Sequence, residues 1–151
     1  MRGARIRGLA AVASGPLRTL ILGSMPSVAS LELQQYYGHP RNAFWDVVDA
    51  IGIERSMPYA ERCRLLCARG FGLWDVLAEC ERDGSLDQAI RAPAPNDIAL
   101  FAARHPELRA LWFNGQTSRR LFDRHLAARL AASLGAGADA LELRTMPSTS
   151  P

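Results

Sequence analysis

The sequence contains no lysine, so its positive charge comes entirely from 18 arginines, set against 15 acidic residues, for a net charge of +3. Without lysine the phosphate-binding pattern Gly-x-x-x-x-Gly-Lys cannot occur, which excludes the P-loop nucleotide-binding proteins. Arginine suits phosphate recognition, because its planar guanidinium group pairs with two oxygens at once. The charge excess is small and all-arginine basicity also follows from a GC-rich genome, so charge alone does not predict nucleic-acid binding.

Cysteine and histidine are scarce, with three of each in 151 residues. Three cysteines cannot all form disulfides with one another, which indicates a reducing, cytoplasmic compartment. Cys63 and Cys67 lie four residues apart on a predicted helix, but a zinc or iron–sulfur site usually needs four such donors and the histidines are scattered. We therefore expect no metal ion.

Long apolar runs are absent as well. Stretches such as residues 19–22 and 108–113 are far shorter than the roughly 20 residues of a membrane-spanning helix. The N-terminal arginines precede a brief alanine-rich stretch that glycine and proline interrupt, which makes a poor signal peptide. We expect a flexible segment over residues 1–17, a single α/β domain over residues 18–151, and no membrane association.

Hydrophobic runs typical of buried strands alternate with helical patterns along the chain. We predict strands over residues 19–23, 72–77, 108–113 and 141–145, and helices over residues 30–37, 43–50, 58–69, 96–103 and 117–134. This order predicts a three-layer α/β/α fold with a central, mostly parallel four-stranded sheet. Residues 91–95, an alternation of alanine and proline, are expected to form an extended surface loop.

Two of the predicted helices begin next to polar residues. We expect Ser30 to cap the helix over residues 30–37 and Asn42 to cap the helix over residues 43–50. The spacing of apolar residues in the second of these helices predicts an inward face. That face is made of Phe44, Val47, Val48 and Ile51.

Ligands of a parallel α/β sheet collect beyond the carboxyl ends of its strands. Four segments lie at such ends in the predicted sheet, namely residues 23–27, 74–75, 114–115 and 146–150. The sequence therefore predicts that these segments converge on one cleft.

Two blocks of sequence near the first strand resemble a known family. They read Leu22-Gly-Ser-Met-Pro-Ser27 and Tyr36-Tyr-Gly-His-Pro-Arg-Asn-Ala-Phe-Trp45. Together they resemble the first motif block of the uracil-DNA glycosylase superfamily, and above all its hypoxanthine-DNA (deoxyinosine) glycosylase branch. The likeness extends through residues 72–77, 82–87, 96–97 and 113–115, and it ends at Met146-Pro-Ser-Thr-Ser-Pro151, which is similar to the second motif.

The resemblance implies a uracil-DNA glycosylase-like α/β fold and a base-excision repair enzyme that needs no cofactor. Such an enzyme flips a deaminated base, by preference hypoxanthine, out of DNA and hydrolyses its N-glycosidic bond with a positioned water. Ser24 and Met25 stand where other branches carry Asp or Asn, and Met146 replaces a histidine; these differences match the hypoxanthine branch. Family members continue past the position of Pro151 with a loop that enters the DNA minor groove and a closing helix, so the resemblance implies that the domain lacks its C-terminal end.

Asn42 and Ser24 stand at the positions for which the resemblance implies a catalytic role. An asparagine amide can hold a water by accepting one hydrogen bond and can donate another to the sugar or base. Asn42 also fits a simple helix cap. The turn around Ser24, which contains Gly23, Met25 and Pro26, would present backbone N–H groups to the base or the water.

Three further residues are assigned to base binding. The resemblance implies that the ring of Tyr37 stacks on the flipped base. Asp75 follows the second predicted strand, where a carboxylate would accept the N1–H of hypoxanthine and repel adenine, or would instead pair with an arginine at the rim. Asn114 would contact the base or cap the long helix.

The chain after the last strand is rich in hydroxyl groups. The resemblance implies that Pro147, Ser148, Thr149 and Ser150 grip the DNA phosphates around the flipped nucleotide. We expect the partner to be double- or single-stranded DNA that contains a deaminated base. We also expect a monomer that is associated with the nucleoid when bound to DNA.

Other functions remain to be weighed against this one. A Ser-His-Asp hydrolase is disfavoured, because Ser24 lies in no Gly-x-Ser-x-Gly turn. Two alternatives stay open. The first is a non-catalytic α/β module of the same superfamily that binds DNA or a nucleotide, and the second is a glycosylase whose main substrate is uracil or xanthine.

Overall fold

The structure is a computed structural model and describes residues 4–151 of the chain. Its helices and strands are, in chain order, β1 (Arg5–Arg7), β2 (Thr19–Gly23), α1 (Val28–Leu33), α2 (Phe44–Val48), α3 (Tyr59–Ala68), β3 (Phe71–Asp75), β4 (Leu77–Glu81), β5 (Arg91–Pro95), α4 (Ile98–Arg104), β6 (Ala110–Asn114), α5 (Gln116–His125), α6 (Ala127–Leu134) and β7 (Glu142–Met146). Short 3-10 helices cover Asp49–Ile51, Asp87–Ala89 and Gly135–Ala140. Across residues 4–151, every helix is too short or too polar to span a lipid bilayer.

A four-stranded sheet forms the centre of the fold in the order β3-β2-β6-β7, and neighbouring strands all run parallel. This confirms the predicted α/β fold. β2 lies between β3 and β6, and four of its five residues are buried, as expected of a strand that is covered on both faces. The registers pair Gly23 with Asp75 and Asn114 with Met146. The carboxyl ends of the four strands therefore lie along one edge of the sheet.

Helices cover both faces of this sheet. Because side chains alternate between the two faces of a strand, Leu20 and Leu22 of β2 pack in one apolar cluster while Ile21 packs against another. The first cluster contains buried residues of α4, α5 and α6, and the second contains buried residues of α2 and α3. The predicted layer of helices on each face is confirmed.

A second sheet, antiparallel and three-stranded in the order β1-β4-β5, was not predicted. Residues 72–77, predicted as one strand, are divided because β3 ends at Asp75 and the chain turns at Val76. The Val76 N–H donates to the carbonyl of Gly23 at 2.8 Å, and β4 then leaves in a new direction. β4 and β5 pair antiparallel and form a second wall beside the edge where the parallel strands end.

Two segments that the sequence predicts to be loose belong to this second sheet. Residues 91–95 form the edge strand β5 in place of the predicted loop, and an edge strand tolerates proline because one of its sides is unpaired. The predicted flexible segment over residues 1–17 contains β1, which pairs with β4, and Val12, which bridges to Leu73. Residues 1–3 of that segment lie outside the described residues.

The predicted helix over residues 117–134 is in fact two helices, α5 and α6. They meet at Leu126, whose backbone angles of φ −130° and ψ −24° leave the helical region. The bend lets Phe122, Leu126 and Leu130 all reach the core, where each is at most 4% exposed. Neither proline nor glycine marks the break, so the sequence carries no local signal for it.

The first two helices also differ from their predictions. Ser27, and not Ser30, caps α1, because its hydroxyl accepts the N–H of Ser30 at 3.1 Å. The predicted inward face of α2 is wrong in part: Val47 is 61% exposed and Ile51 is 37% exposed. The buried residues of that helix are Phe44, Trp45 and Val48, so Trp45 takes the inward place that was predicted for Val47.

Candidate active site

A cleft opens at the edge of the parallel sheet where the strands end. The residues that line it are Gly23, Ser24, Met25, Pro26, Ser27, Ser30, Tyr36, Tyr37, Asn42, Asp75, Ser85, Asp87, Asn114, Ser148 and Ser150. Of the residues that the sequence assigns to the site, only Pro147 and Thr149 are not among them.

Asn42 lies in the turn before α2 and is 8% exposed. Its Oδ1 accepts the backbone N–H of Phe44 at 2.9 Å and so closes the turn before the helix. The predicted cap is wrong, because the N-cap position of α2 is Ala43 and no side chain caps that helix. Arg55 fixes the turn by donating to the carbonyls of Asn42 and Pro40 at 3.1 and 2.8 Å. Within the described chain the amide nitrogen of Asn42 has no partner, so both its N–H groups are available in the cleft.

Asn114 holds the chain that follows β7. Its Oδ1 accepts the N–H of Thr149 and its Nδ2 donates to the Thr149 hydroxyl, both at 2.9 Å. The Thr149 carbonyl in turn accepts the N–H of Ala43 at 2.9 Å. The C-terminal segment is thereby attached to the turn that carries Asn42. Asn114 does not cap α5, since no side chain caps that helix.

Ser148 and Ser150 present the C-terminal segment to the cleft. The Ser148 hydroxyl accepts the N–H of Ser150 at 3.1 Å, which closes a tight turn. Gly115 permits this approach, because a Cβ atom there would lie 3.0 Å from the Cβ of Ser148, and the backbone φ of +104° also favours glycine.

Asp75 ends β3 at the inner end of the cleft and is 4% exposed. Its carboxylate lies over Gly23: a Cβ atom at that position would be 2.5 Å from Asp75 Oδ1. Within residues 4–151 the buried Oδ2 has no hydrogen-bond partner. Burial, assisted by the charge of Asp87 and opposed by Arg82, raises the pKa of Asp75 to about 7. The predicted pairing with a rim arginine is absent, because none of the described arginines forms an ion pair with this carboxylate.

Tyr37 lies beside Asp75 with its backbone in the left-handed region, at φ +56°. One face of its ring is stacked on Phe44, with centroids 4.1 Å apart and planes 27° apart. The ring points inward, so that its hydroxyl would be 3.6 Å from a Cβ atom at Gly23. That hydroxyl is buried and finds no partner in the described part of the chain. Burial first and the charge of Asp75 second raise the pKa of Tyr37, and the nearby side chain of Asn114 opposes that rise. The net rise keeps the phenol neutral.

The turn after β2 is held in place by Arg82, which is 5% exposed. Its guanidinium donates to the carbonyls of Pro26 and Gly84, and so joins the turn to the connection between β4 and β5. Met25 is 7% exposed and packs in the apolar core, which anchors the same turn from below. These contacts fix the backbone that forms one wall of the cleft.

Two cleft residues on the β4–β5 connection were missed by the reasoning from sequence. Ser85 accepts the N–H of Val28 at 2.9 Å, and Asp87 accepts the hydroxyl of Ser24 at 2.8 Å through Oδ2. The only sequence signal for these two residues is the family resemblance, which includes residues 82–87. Their position in the cleft depends on the second sheet, which was not predicted. The other unassigned lining residues are Ser27, Ser30 and Tyr36.

Known proteins are similar to this chain in sequence and in fold. A Methanosarcina acetivorans protein named Hypoxanthine DNA glycosylase is 41% identical over 112 residues, which are 73% of this chain and 71% of that protein. A Methanosarcina barkeri protein of the same name is 38% identical over 101 residues, or 66% of this chain and 64% of that protein. No protein-family model matches the sequence.

The fold comparison agrees with the sequence comparison. The solution NMR structure of a Methanosarcina acetivorans protein proposed to be a uracil DNA glycosylase superposes with a TM-score of 0.78 and 35% identity, covering 97% of this chain and 86% of that one. Identity at this level over most of both chains, together with a common fold, shows that the chain belongs to the hypoxanthine DNA glycosylase family.

Proposed function

We propose that the protein is a monofunctional DNA glycosylase of base-excision repair that hydrolyses the N-glycosidic bond of a flipped deaminated base, preferentially hypoxanthine. Family membership supports the activity and the DNA substrate. The choice of a deaminated base over adenine is supported by one observation about the cleft. Two buried polar atoms of its lining, Asp75 Oδ2 and Tyr37 Oη, lack a partner within residues 4–151.

Asp75 and Tyr37 form a pair that matches the edge of hypoxanthine. A buried polar atom without a partner costs about 1–3 kcal/mol, so a ligand that supplies the partner gains correspondingly. The ionised carboxylate of Asp75 accepts the N1–H of hypoxanthine, and the neutral phenol of Tyr37 donates to the neighbouring O6. Adenine carries a lone pair at N1 and an amino group at position 6, so it presents the opposite pattern to both residues.

This edge-reading role is favoured over ring stacking for Tyr37. Phe44 already covers one face of the ring. A ring that lies flat on a base cannot also reach that base's edge with its hydroxyl, and the Tyr37 hydroxyl points to the Gly23 and Asp75 end of the cleft.

Asn42 acts on the bond that breaks. Cleavage of a glycosidic bond builds positive charge on the sugar and negative charge on the departing base. The unpaired N–H groups of Asn42 stabilise the negative charge on the purine, and the remaining lone pair of Oδ1 holds the attacking water. Because Phe44 and Arg55 fix the turn, little reorganisation accompanies the reaction.

The C-terminal segment grips the DNA on either side of the flipped nucleotide. Ser148 and Ser150 present hydroxyl and backbone groups to phosphates, while Thr149 acts indirectly through its bonds to Asn114. We propose that a monomer acts on double- or single-stranded DNA containing the deaminated base.

The test is excision from a duplex with one deoxyinosine, followed by alkaline cleavage of the abasic product. Matched duplexes with deoxyuridine, deoxyxanthosine and deoxyadenosine measure the base preference. We expect excision of hypoxanthine with parent protein, and a single-turnover rate about 100- to 1000-fold lower with Asn42→Ala, the usual loss when one charge-stabilising donor is removed. Cleavage of deoxyinosine DNA by Asn42→Ala at the parent rate would refute the role of Asn42, and a gel shift without any cleavage by the parent would favour the binding module.

Asn42→Asp is the matched control for the hydrogen bond to Phe44. Asp keeps the Oδ1 acceptor for the Phe44 N–H, so it should retain the stability that Asn42→Ala loses, about 1 kcal/mol. It lacks the N–H donors, so we expect it to remain slow. A stable but slow Asn42→Asp variant separates the two functions of this side chain.

A further inference from the structure

The connection between β4 and β5 brings a carboxylate to the cleft. Asp87 begins the 3-10 helix Asp87–Ala89 and lines the cleft. Its Oδ2 accepts the Ser24 hydroxyl at 2.8 Å, and within the described residues Oδ1 has no partner. Ser24 is 8% exposed and lines the same cleft. A hydroxyl that donates to a carboxylate keeps its own lone pairs available as an acceptor.

Hydrolysis requires a proton acceptor besides Asn42. As a water attacks the sugar it must lose a proton, and the amide of Asn42 is not a base. The two tyrosines of the cleft have raised pKa values and stay neutral. Asp75 is enclosed at the base-reading end over Gly23. Of the carboxylates that line the cleft, Asp87 is the one that remains.

We propose that Ser24 and Asp87 form a proton relay for the attacking water. This inference rests on the proposed function. The water oxygen bonds to the anomeric carbon of the sugar while the bond from that carbon to the base nitrogen breaks. The electron pair of the broken bond leaves with the base. One water proton passes to Ser24 Oγ as the Ser24 proton passes to Asp87 Oδ2. The resulting neutral carboxyl later returns its proton to solvent or to the departed base.

The surroundings of Asp87 suit a proton acceptor. Burial raises its pKa above the ordinary value, while the Ser24 hydrogen bond and the charge of Arg82 oppose that rise. Asp75 is the other charged group at this end, and the charge of Asp87 raises the pKa of Asp75 in turn. A carboxylate of raised pKa is a better base than an ordinary aspartate, because basicity follows pKa.

The first experiment compares Asp87→Asn with Asp83→Asn in single-turnover excision of hypoxanthine across pH 5–8. Asp83 lies on the same connection and makes only an exposed ion pair with Arg91 at 3.6 Å. Asparagine at position 87 keeps an acceptor for the Ser24 hydroxyl, so the fold should persist. We expect Asp87→Asn to be about 100-fold slower with unchanged binding of the deoxyinosine duplex, and Asp83→Asn to match the parent.

The pH profile distinguishes a proton acceptor from a merely structural residue. Only the ionised carboxylate accepts the proton, so the parent rate falls on the acid side and Asp87→Asn loses that dependence. Asp75 does not mask the effect in a saturated complex, because its contact with N1–H holds it ionised. An Asp87→Asn variant with the parent rate, or with the acid limb intact, would overturn the relay.

Ser24→Ala provides a second route to the same answer. If the two residues act as one chain, the variant with both Ser24→Ala and Asp87→Asn should be at most about two- to threefold slower than Asp87→Asn alone. Residues that act as a unit have non-additive effects. Effects that multiply would overturn the relay. If the parent protein does not excise hypoxanthine, both the proposed function and the relay are refuted. If the parent and Asp87→Asn excise it equally well, only the relay is refuted.

Discussion

Replacing Asp75 with asparagine should make the protein more stable at neutral and alkaline pH while weakening its choice of base. Asp75 is 4% exposed, and its Oδ2 has no partner within residues 4–151. Such a carboxylate destabilises the folded protein whenever it is ionised. The same unpaired oxygen is the proposed acceptor for the N1–H of hypoxanthine. Asp75 Oδ2 therefore lowers the stability of the free protein and at the same time favours hypoxanthine over adenine.

The size of the effect follows from the pKa. The pKa of Asp75 rises from 3.8 to about 7, and each pKa unit corresponds to about 1.4 kcal/mol. The folded protein thus binds this proton more tightly than the unfolded chain does, so stability falls as pH rises from about 4 to about 7. Above that window the ionised group costs on the order of 4 kcal/mol. A buried asparagine amide without a partner still costs about 1–3 kcal/mol, so we expect Asp75→Asn to gain about 1–3 kcal/mol at pH 8.

Urea denaturation at pH 4 and pH 8 measures this gain. The difference in unfolding free energy between Asp75→Asn and the parent should be positive at pH 8 and should disappear or reverse at pH 4. Asp83→Asn is the control, because its side chain is 80% exposed and its difference should not depend on pH. An Asp75→Asn variant that is less stable than the parent at pH 8 would refute the reasoning.

Base selection is measured on the same variant by product inhibition. An asparagine amide can pair with either pattern by turning over, since it offers both a donor and an acceptor. We expect free hypoxanthine to inhibit the parent much more strongly than free adenine does, and the two inhibition constants to converge in Asp75→Asn. Unchanged discrimination in the variant would remove Asp75 from base reading.

Two further predictions concern the neighbours of Asp75. Gly23→Ala would place a Cβ atom 2.5 Å from Asp75 Oδ1, so we expect the free energy of unfolding in urea to fall by about 1–3 kcal/mol and excision to slow. Gly137→Ala is the control, since only Leu134 Cβ lies nearby, at 3.9 Å, and it should change neither quantity. A Gly23→Ala variant as active as the parent would contradict the close approach. Tyr37→Phe removes a buried hydroxyl without a partner in the described chain, so stability should be kept while excision of hypoxanthine falls about tenfold or more. If Tyr37→Phe excises hypoxanthine like the parent and Tyr37→Leu does not, the role of Tyr37 is ring stacking.

The parallel sheet could be predicted from sequence because its signals are local. Each of its strands is a short apolar run next to a turn or a helical pattern, and the carboxyl ends of parallel strands meet by geometry alone. These signals predict that Gly23, Asp75 and Asn114 lie at one edge of the sheet, as the structure shows. The resemblance then added the Asn42 turn, which no periodicity places in a cleft.

The second sheet could not be predicted, because its strands carry weak or misleading signals. β5 contains two prolines, which indicate a loop unless the strand is known to lie at an edge. β1 is three residues long and rich in arginine. Since Asp87 reaches the cleft only through this sheet, the missed strands and the missed proton acceptor have the same cause.

Side-chain roles were harder to predict than side-chain positions, and hydrogen bonding explains why. Asn42 and Asn114 are both asparagines at the ends of elements and both line the cleft. Asn114 directs its oxygen and its nitrogen to Thr149, whereas Asn42 uses only its oxygen, on Phe44. Composition cannot separate these cases, since both residues carry the same groups.

Atoms that a fold leaves without partners are therefore the most informative part of such a cleft. Arg82, Asn114 and Thr149 hold loops in place, and replacing them would disturb the cleft indirectly. Asp75 Oδ2 and Tyr37 Oη are buried at a cost in stability that no contact among the described residues offsets. A flipped base whose edge carries a donor beside an acceptor would offset both costs at once. Adenine would instead set its N1 lone pair against the carboxylate of Asp75 and leave both costs in place, so selection for hypoxanthine over adenine follows from these two atoms.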